Sequence, residues 1–118
     1  MKYKMRKEEM KMIKVYQIQL TNAEVDIINT DGEWTPRIKA FFDRSFDSKF
    51  KSENFQYYNH VANVDTNDME EAFRAMNLWD DAAAVEKFGP CSSMSVGDIL
   101  EMDDGSKYRC ASFGFDKI

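Results

Sequence analysis

The chain has 118 residues, 43% of them hydrophobic, and a net charge of −5. That is enough apolar material for one core, but it contains no run of the roughly 20 apolar residues that a membrane span needs. A strongly charged N-terminus argues against a secretory leader, so the expectation is a cytoplasmic protein that meets no membrane.

Cys91 and Cys110 are the two cysteines. A disulfide-stapled secreted domain would carry more, so a reduced pair is expected. His60 is the single histidine and no Cys-x-x-Cys spacing occurs, which leaves no metal site and no cofactor implied.

Charge is unevenly distributed. Residues 1–14 hold six basic side chains (Lys2, Lys4, Arg6, Lys7, Lys11, Lys14) and two acidic ones (Glu8, Glu9), a balance of +4, which leaves −9 for the rest. Residues 65–104 set eleven carboxylates against Arg74 and Lys87, again −9. Such an acidic field repels nucleic acid and membrane phosphates and favours basic partners.

Residues 1–11 lack a hydrophobic period and are expected to form a flexible basic extension, with Met12 an alternative start; residues 12–118 are expected to form one domain. Ile13 to Leu20 alternates apolar and polar residues and reads as a strand. Thr21 with Glu24 is a capping-box pair, and Ala23, Ile27 and Ile28 predict a short helix that Asp31-Gly32 ends. Pro36 suits a first helical turn, and Ile38, Phe41 and Phe42 recur at helical spacing. Ser45 to Asn54 reads as a long loop.

Phe55 to Val64 reads as a second strand, aromatic and then β-branched. Asp65-Thr66-Asn67-Asp68 is a dense cap before a helix from Asp68 to Met76, with Asn77 as its left-handed C-cap. Ala82 to Phe88 suggests one or two helical turns, closed by Gly89-Pro90. Gly97-Asp98 turns the chain into a strand over Ile99 to Met102. Asp104-Gly105 predicts a tight hairpin turn, and Lys107 to Ser112 the return strand. Phe113-Gly114-Phe115 is expected to pack the chain end onto the domain. Strands at both ends with helices between them predict an α+β fold: a small antiparallel or mixed sheet, two to four short helices and a C-terminal β-hairpin.

The run from His60 through Asp65-Thr66-Asn67-Asp68-Met69-Glu70-Glu71-Ala72-Phe73 to Asn77, then Ser92-Ser93-Met94-Ser95-Val96-Gly97-Asp98-Ile99 and Phe113-Gly114-Phe115, resembles small phage-borne proteins related to the YodL-like domain. The likeness covers the chain from His60 onward and leaves Asp31 to Asn54 outside. It implies a setting of phages and mobile elements and supplies no activity.

Candidate chemistry is sparse. Asp98, Glu101, Asp103 and Asp104 lack the regular spacing of a calcium loop and suit turn and edge roles better. Ser92, Ser93 and Ser95 have neither a glycine-rich phosphate loop nor an adjacent base, which favours capping and turn formation. His60 as a base and Cys91 or Cys110 as a nucleophile are weaker readings than structural roles for the same residues. The segment 36–51 interleaves Arg37, Lys39, Arg44, Lys49 and Lys51 with Phe41, Phe42, Phe46 and Phe50 at a balance of +3, a pattern that can track single-stranded nucleic acid.

No catalytic constellation emerges. The leading expectation is therefore a non-enzymatic phage accessory protein that binds a host protein and inhibits or redirects it, in host takeover or counter-defence, with acidic DNA mimicry as one version. Candidate contact residues are Trp34, Tyr57, Tyr58, Trp79, Asp80, Asp81, Glu86, Asp103 and Asp104, because Trp and Tyr anchor interfaces and carboxylates meet basic partners. The alternative is a single-stranded nucleic-acid module that uses Arg37, Lys39, Phe42, Arg44, Phe46 and Lys49. Association with a second copy of the chain stays open.

Overall fold

The computed structural model describes residues 12–46, 51–78, 85–89 and 91–118. At its centre runs β1 (Ile13–Gln17), in which Ile13, Val15 and Gln17 are buried while Lys14 is exposed, as period-2 alternation requires. Antiparallel neighbours flank it: β2 (Asn59–Val64) on one side and β4 (Ile99–Glu101) on the other. With β3 (Val85–Lys87), β5 (Lys107–Cys110) and β6 (Phe115–Lys117) they form a six-stranded sheet of order β3-β2-β1-β4-β5-β6, antiparallel at every pairing. The α+β class with an all-antiparallel sheet agrees with the expectation from the sequence.

Opposed residues on adjacent antiparallel strands share a face. Ile13 faces Val64, and Val15 faces both Ala62 and Leu100, so these side chains line one side. Against that side packs α3 (Met69–Leu78) through Ala72, Ala75 and Met76, all buried in one cluster with Met94 and Cys110. The opposite side carries Tyr16, Ile99 and Arg109, which oppose one another in register. There lie α2 (Pro36–Phe46) and a 3-10 turn, Ser52–Tyr57: Phe55 packs on Tyr16 with ring centroids 5.2 Å apart, and Arg109 donates to the Arg44 carbonyl. At a bulge in β2, Tyr16 opposes His60 where Val15 opposes Ala62, and both Val61 and Ala62 are buried.

Local rules explain the helix ends. In α1 (Asn22–Asn29) the Thr21 hydroxyl accepts from the Glu24 N–H while the Glu24 carboxylate accepts from the Thr21 N–H, the capping box expected. At its other end Asp31 adopts φ 59°, and the Gly32 N–H reaches back to the Ile27 carbonyl at 2.8 Å, a Schellman closure with aspartate in the left-handed position. The apolar stripe expected of this helix stays shallow: no residue of α1 is buried. Arg37 ties α1 down through Glu24 at 3.2 Å and through the Gln19 carbonyl. Pro36 opens α2 behind a Thr35 cap, and the Asp68 carboxylate caps α3 by accepting from the Glu70 and Glu71 N–H groups.

Several expectations are corrected. The first strand stops at Gln17, because its ladder ends where Gln17 meets Asn59 and Tyr16 meets Ile99. The second begins only at Asn59; Phe55 belongs to the 3-10 turn, and its ring packs onto the sheet. The presumed loop at 45–54 is partly helical, with α2 reaching Phe46 and the 3-10 turn starting at Ser52; residues 47–50 fall outside the described residues. Residues 85–87 are a strand and not a helical turn, because Val85 opposes Val64 and extends the core; residues 82–84 fall outside the described residues.

The hairpin between β4 and β5 uses a three-residue loop, 103–105, with positive φ only at Gly105 (89°), so it is not a primed two-residue turn. β6, a strand the sequence reading missed, follows a turn in which the Ala111 N–H donates to the Gly114 carbonyl. Phe113 does not pack: it is 95% exposed, whereas Phe115 lies against the core.

Asn77 is not a C-cap either. It sits inside α3, where its amide accepts from the Met94 N–H at 2.6 Å and donates to the Met94 carbonyl at 3.1 Å, pinning the 91–98 segment beside the helix. Asn77→Ala removes both bonds and leaves the Met94 backbone unpaired, so urea unfolding is expected to show a loss of about 2–3 kcal/mol. A loss below about 0.5 kcal/mol would show that the strut is dispensable.

Candidate functional site

Asp98 is the polar centre of the molecule. It directly precedes β4, is 2% exposed, and its Oδ2 accepts from the Ser95 N–H at 2.9 Å and from Gln17 Nε2 at 3.0 Å. Its Oδ1 faces Arg44 Nη1 at 3.4 Å, and the same guanidinium nitrogen donates to the Val96 carbonyl at 3.0 Å. Gln17 extends the network by donating to the Ser92 carbonyl at 3.0 Å and accepting from the Ser92 N–H at 3.2 Å. One carboxylate thus joins the central strand, the 92–98 segment and α2.

The backbone around it is equally committed. The Gly97 N–H donates to the Cys110 carbonyl and the Cys110 N–H to the Asp98 carbonyl, both at 2.8 Å. Gly97 has φ 94°, and any Cβ there would collide with the Arg44 carbonyl oxygen, so position 97 accepts only glycine. The Tyr58 hydroxyl donates to the Gly97 carbonyl at 2.6 Å.

Burial pushes the Asp98 carboxyl up to about 6, against the opposing pull of the Ser95 N–H, the Arg44 guanidinium and the Gln17 amide. Burial, reinforced by the Asp98 charge, also pushes the Tyr58 hydroxyl up to about 12 and the Cys110 thiol up to about 11. A thiol held that high is a poor nucleophile at neutral pH. These groups have their perturbed chemistry because they are enclosed and bonded within the fold. The network is architecture, and the serines and glycine of the 92–98 segment belong to it.

Cys91 and Cys110 are both free thiols. His60 is exposed, with Nε2 2.7 Å from Asn63 Oδ1 and its ring between Tyr16 and Phe88. Glu101 accepts from the Tyr16 hydroxyl at 2.7 Å, Glu71 accepts from the Thr66 hydroxyl, and Asp104 accepts from the N–H and hydroxyl of Ser106. Asp98 is buried and Glu71 and Glu101 are half-buried, whereas Asp65, Asp103 and Asp104 are exposed. Among the described residues no three His, Cys, Asp or Glu side chains converge.

The candidate contact residues lie on separate elements. Trp34 stacks on Phe42 at 4.6 Å before α2, Tyr57 gives its carbonyl to Arg37, and Tyr58 turns its hydroxyl inward. Glu86 is exposed on the edge strand β3, and Asp103 and Asp104 occupy the β4–β5 turn. Trp79, Asp80 and Asp81 lie outside the described residues, as does Lys49. Of the nucleic-acid set, Lys39 is exposed, but Arg37 and Arg44 direct their guanidinium groups into the fold, Arg44 also lying over the Phe41 ring at 4.3 Å. Phe46 ends α2.

One surface feature escaped the sequence reading. Beside α3, a cavity of about 180 Å³ opens between Glu70 and Phe73 on the helix and Cys110, Ala111, Ser112 and Phe115 at the β5–β6 turn. Phe113 stands out from that same turn, and Phe73 is 38% exposed. The clue was the Phe-Gly-Phe alternation: a turn glycine sends the two flanking phenylalanines in different directions.

Compared with protein-family models, curated proteins and solved structures, the chain matches none of them.

The Asp98 site makes a pH prediction. A folded-state value of about 6, raised from 3.8, means that the fold holds a proton that the unfolded chain has already released. The stability so gained is complete below about pH 4 and is lost as pH rises through 6. Arg44, Arg109, Tyr58 and Cys110 are the ionisable side chains around it, and the Tyr58 hydroxyl and Cys110 thiol are both held far above that window. Relative to Asp98→Asn, the wild type should therefore gain about 2–3 kcal/mol in unfolding free energy between pH 7 and pH 4. Parallel pH profiles for the two proteins would refute this.

Proposed function

We propose that the protein is a non-enzymatic binding protein that engages a host protein and inhibits or redirects it. The observation that carries this reading is Phe113, a large apolar side chain 95% exposed beside an open cavity walled by Phe73 and Phe115. An exposed aromatic next to a receptive groove is the usual anatomy of an interface anchor. The buried titratable groups support the same view from the other side, since Asp98 and Tyr58 are spent on internal bonds and are not presented to a substrate. Likeness to phage-borne proteins favours a bacterial host as the source of the partner. Net charge of −5 favours a basic surface on it, through charge complementarity.

The test is affinity capture from a lysate of the host bacterium with wild type and Phe113→Ser side by side. Wild type should retain one protein in stoichiometric amount, and the variant should retain at least tenfold less. Because Phe113 makes so little contact within the fold, the variant should keep wild-type stability to about 0.5 kcal/mol. Absence of a stoichiometric partner, or equal capture by the two proteins, would contradict the reading.

A further inference from the structure

We infer that the open edge of β6 and the groove beside it take an extended segment of the partner protein as a seventh strand, one that carries an apolar residue directly next to a lysine or arginine. This rests on the binding reading above and specifies how that surface is used.

The backbone supplies the first argument. The Ala111 N–H donates to the Gly114 carbonyl, the Ile118 N–H donates to the Lys107 carbonyl, and Arg109 opposes Asp116. Residues 114, 116 and 118 therefore turn their peptide groups toward β5, and by alternation Phe115 and Lys117 turn theirs outward. β6 ends the strand order, so among the described residues no strand meets those outward groups. A partner strand would pair with them.

The groove supplies the second. Phe115 opposes Cys110 and lies against the α3 side of the sheet, where it lines the 180 Å³ cavity together with Phe73. That volume is below the roughly 300–1,000 Å³ typical of small-molecule sites and suits one inserted side chain. A strand residue opposite Phe115 would drop its side chain there, so that residue is apolar.

Charge supplies the third. On the opposite side of the sheet Asp116 is exposed, 3.7 Å from Arg109 Nη1, and Glu70 forms the helical lip of the groove. An edge strand normally uses such a charge to repel strand pairing, but here a guanidinium across the ladder stands beside the carboxylate and offsets its charge. The residue opposite Asp116 is then basic, and the one opposite Lys117, on the groove side, is polar or acidic.

A display library of random ten-residue peptides selected on the full-length protein tests this. The enriched sequences should share an apolar residue adjacent to Lys or Arg, and the synthetic form of the best one should slow amide exchange at Phe115 and Lys117. Lys117→Pro removes an outward N–H without touching the β5 ladder, and it should weaken the peptide at least tenfold at unchanged melting temperature. No enrichment, peptides without the pattern, binding without protection at Phe115 and Lys117, or full affinity for Lys117→Pro would each overturn the inference. Protection already present without peptide and rising with protein concentration would assign the edge to a second copy and also overturn it. Capture from lysate separates the two readings: a partner lost with Phe113→Ser and kept with Lys117→Pro defeats strand addition alone, whereas one kept by both variants defeats the binding reading as well.

Discussion

The structure depends on a buried carboxylate. Asp98 lies where the central strand, the 92–98 segment and α2 meet, and it accepts from a backbone N–H, an amide and a guanidinium at once. Removing an ionisable group from water is unfavourable, and only several well-aligned donors make it tolerable. Each donor comes from a different stretch of chain, which gives the arrangement its specificity: Gln17, Arg44 and Ser95 can satisfy the carboxylate together only when their elements stand in this relation. Gly97 enforces the same geometry sterically, since it admits the Arg44 backbone at a distance that no side chain would allow.

Much of the frame was legible in the sequence, where local chemistry decides. The alternation at Ile13–Gln17, the Thr21–Glu24 box, Pro36 opening a helix and Asp68 capping another are all short-range rules, and all hold. What escaped depends on partners far along the chain. β3 and β6 are three-residue strands bearing charges, and they become strands only because β2 and β5 offer them a ladder. Asn77 carries the local features of a C-cap, yet a backbone segment 17 residues away claims its amide. Arg44 and Asp98 are 54 residues apart, so nothing in the composition of residues 36–51 could reveal that an arginine placed among phenylalanines points inward.

The site was the least legible part, and for a physical reason. The Ser-x-Ser-Val-Gly-Asp run that draws attention in the sequence is used up in bonding the fold together. The working surface we propose sits instead at the β5–β6 turn, where Gly114 turns the chain, Phe113 stands exposed and Phe115 lies against the core. The two regions are linked through Cys110, whose N–H and carbonyl close onto Asp98 and Gly97 while its residue floors the groove. A rigid buried network next to an exposed aromatic is the arrangement that keeps a binding surface preorganised.

The 92–98 segment is bonded into the core through Met94, Ser95, Gly97 and Asp98 and is not a surface loop. Native-state amide hydrogen exchange measures this most directly. If the Asp98 network organises the fold, the amides of Ser95, Gly97 and Cys110 exchange only through global unfolding, with the same denaturant dependence as those of β1 and β4. Exchange of these three amides through a local opening, far faster than the β1 amides and insensitive to denaturant, would contradict it.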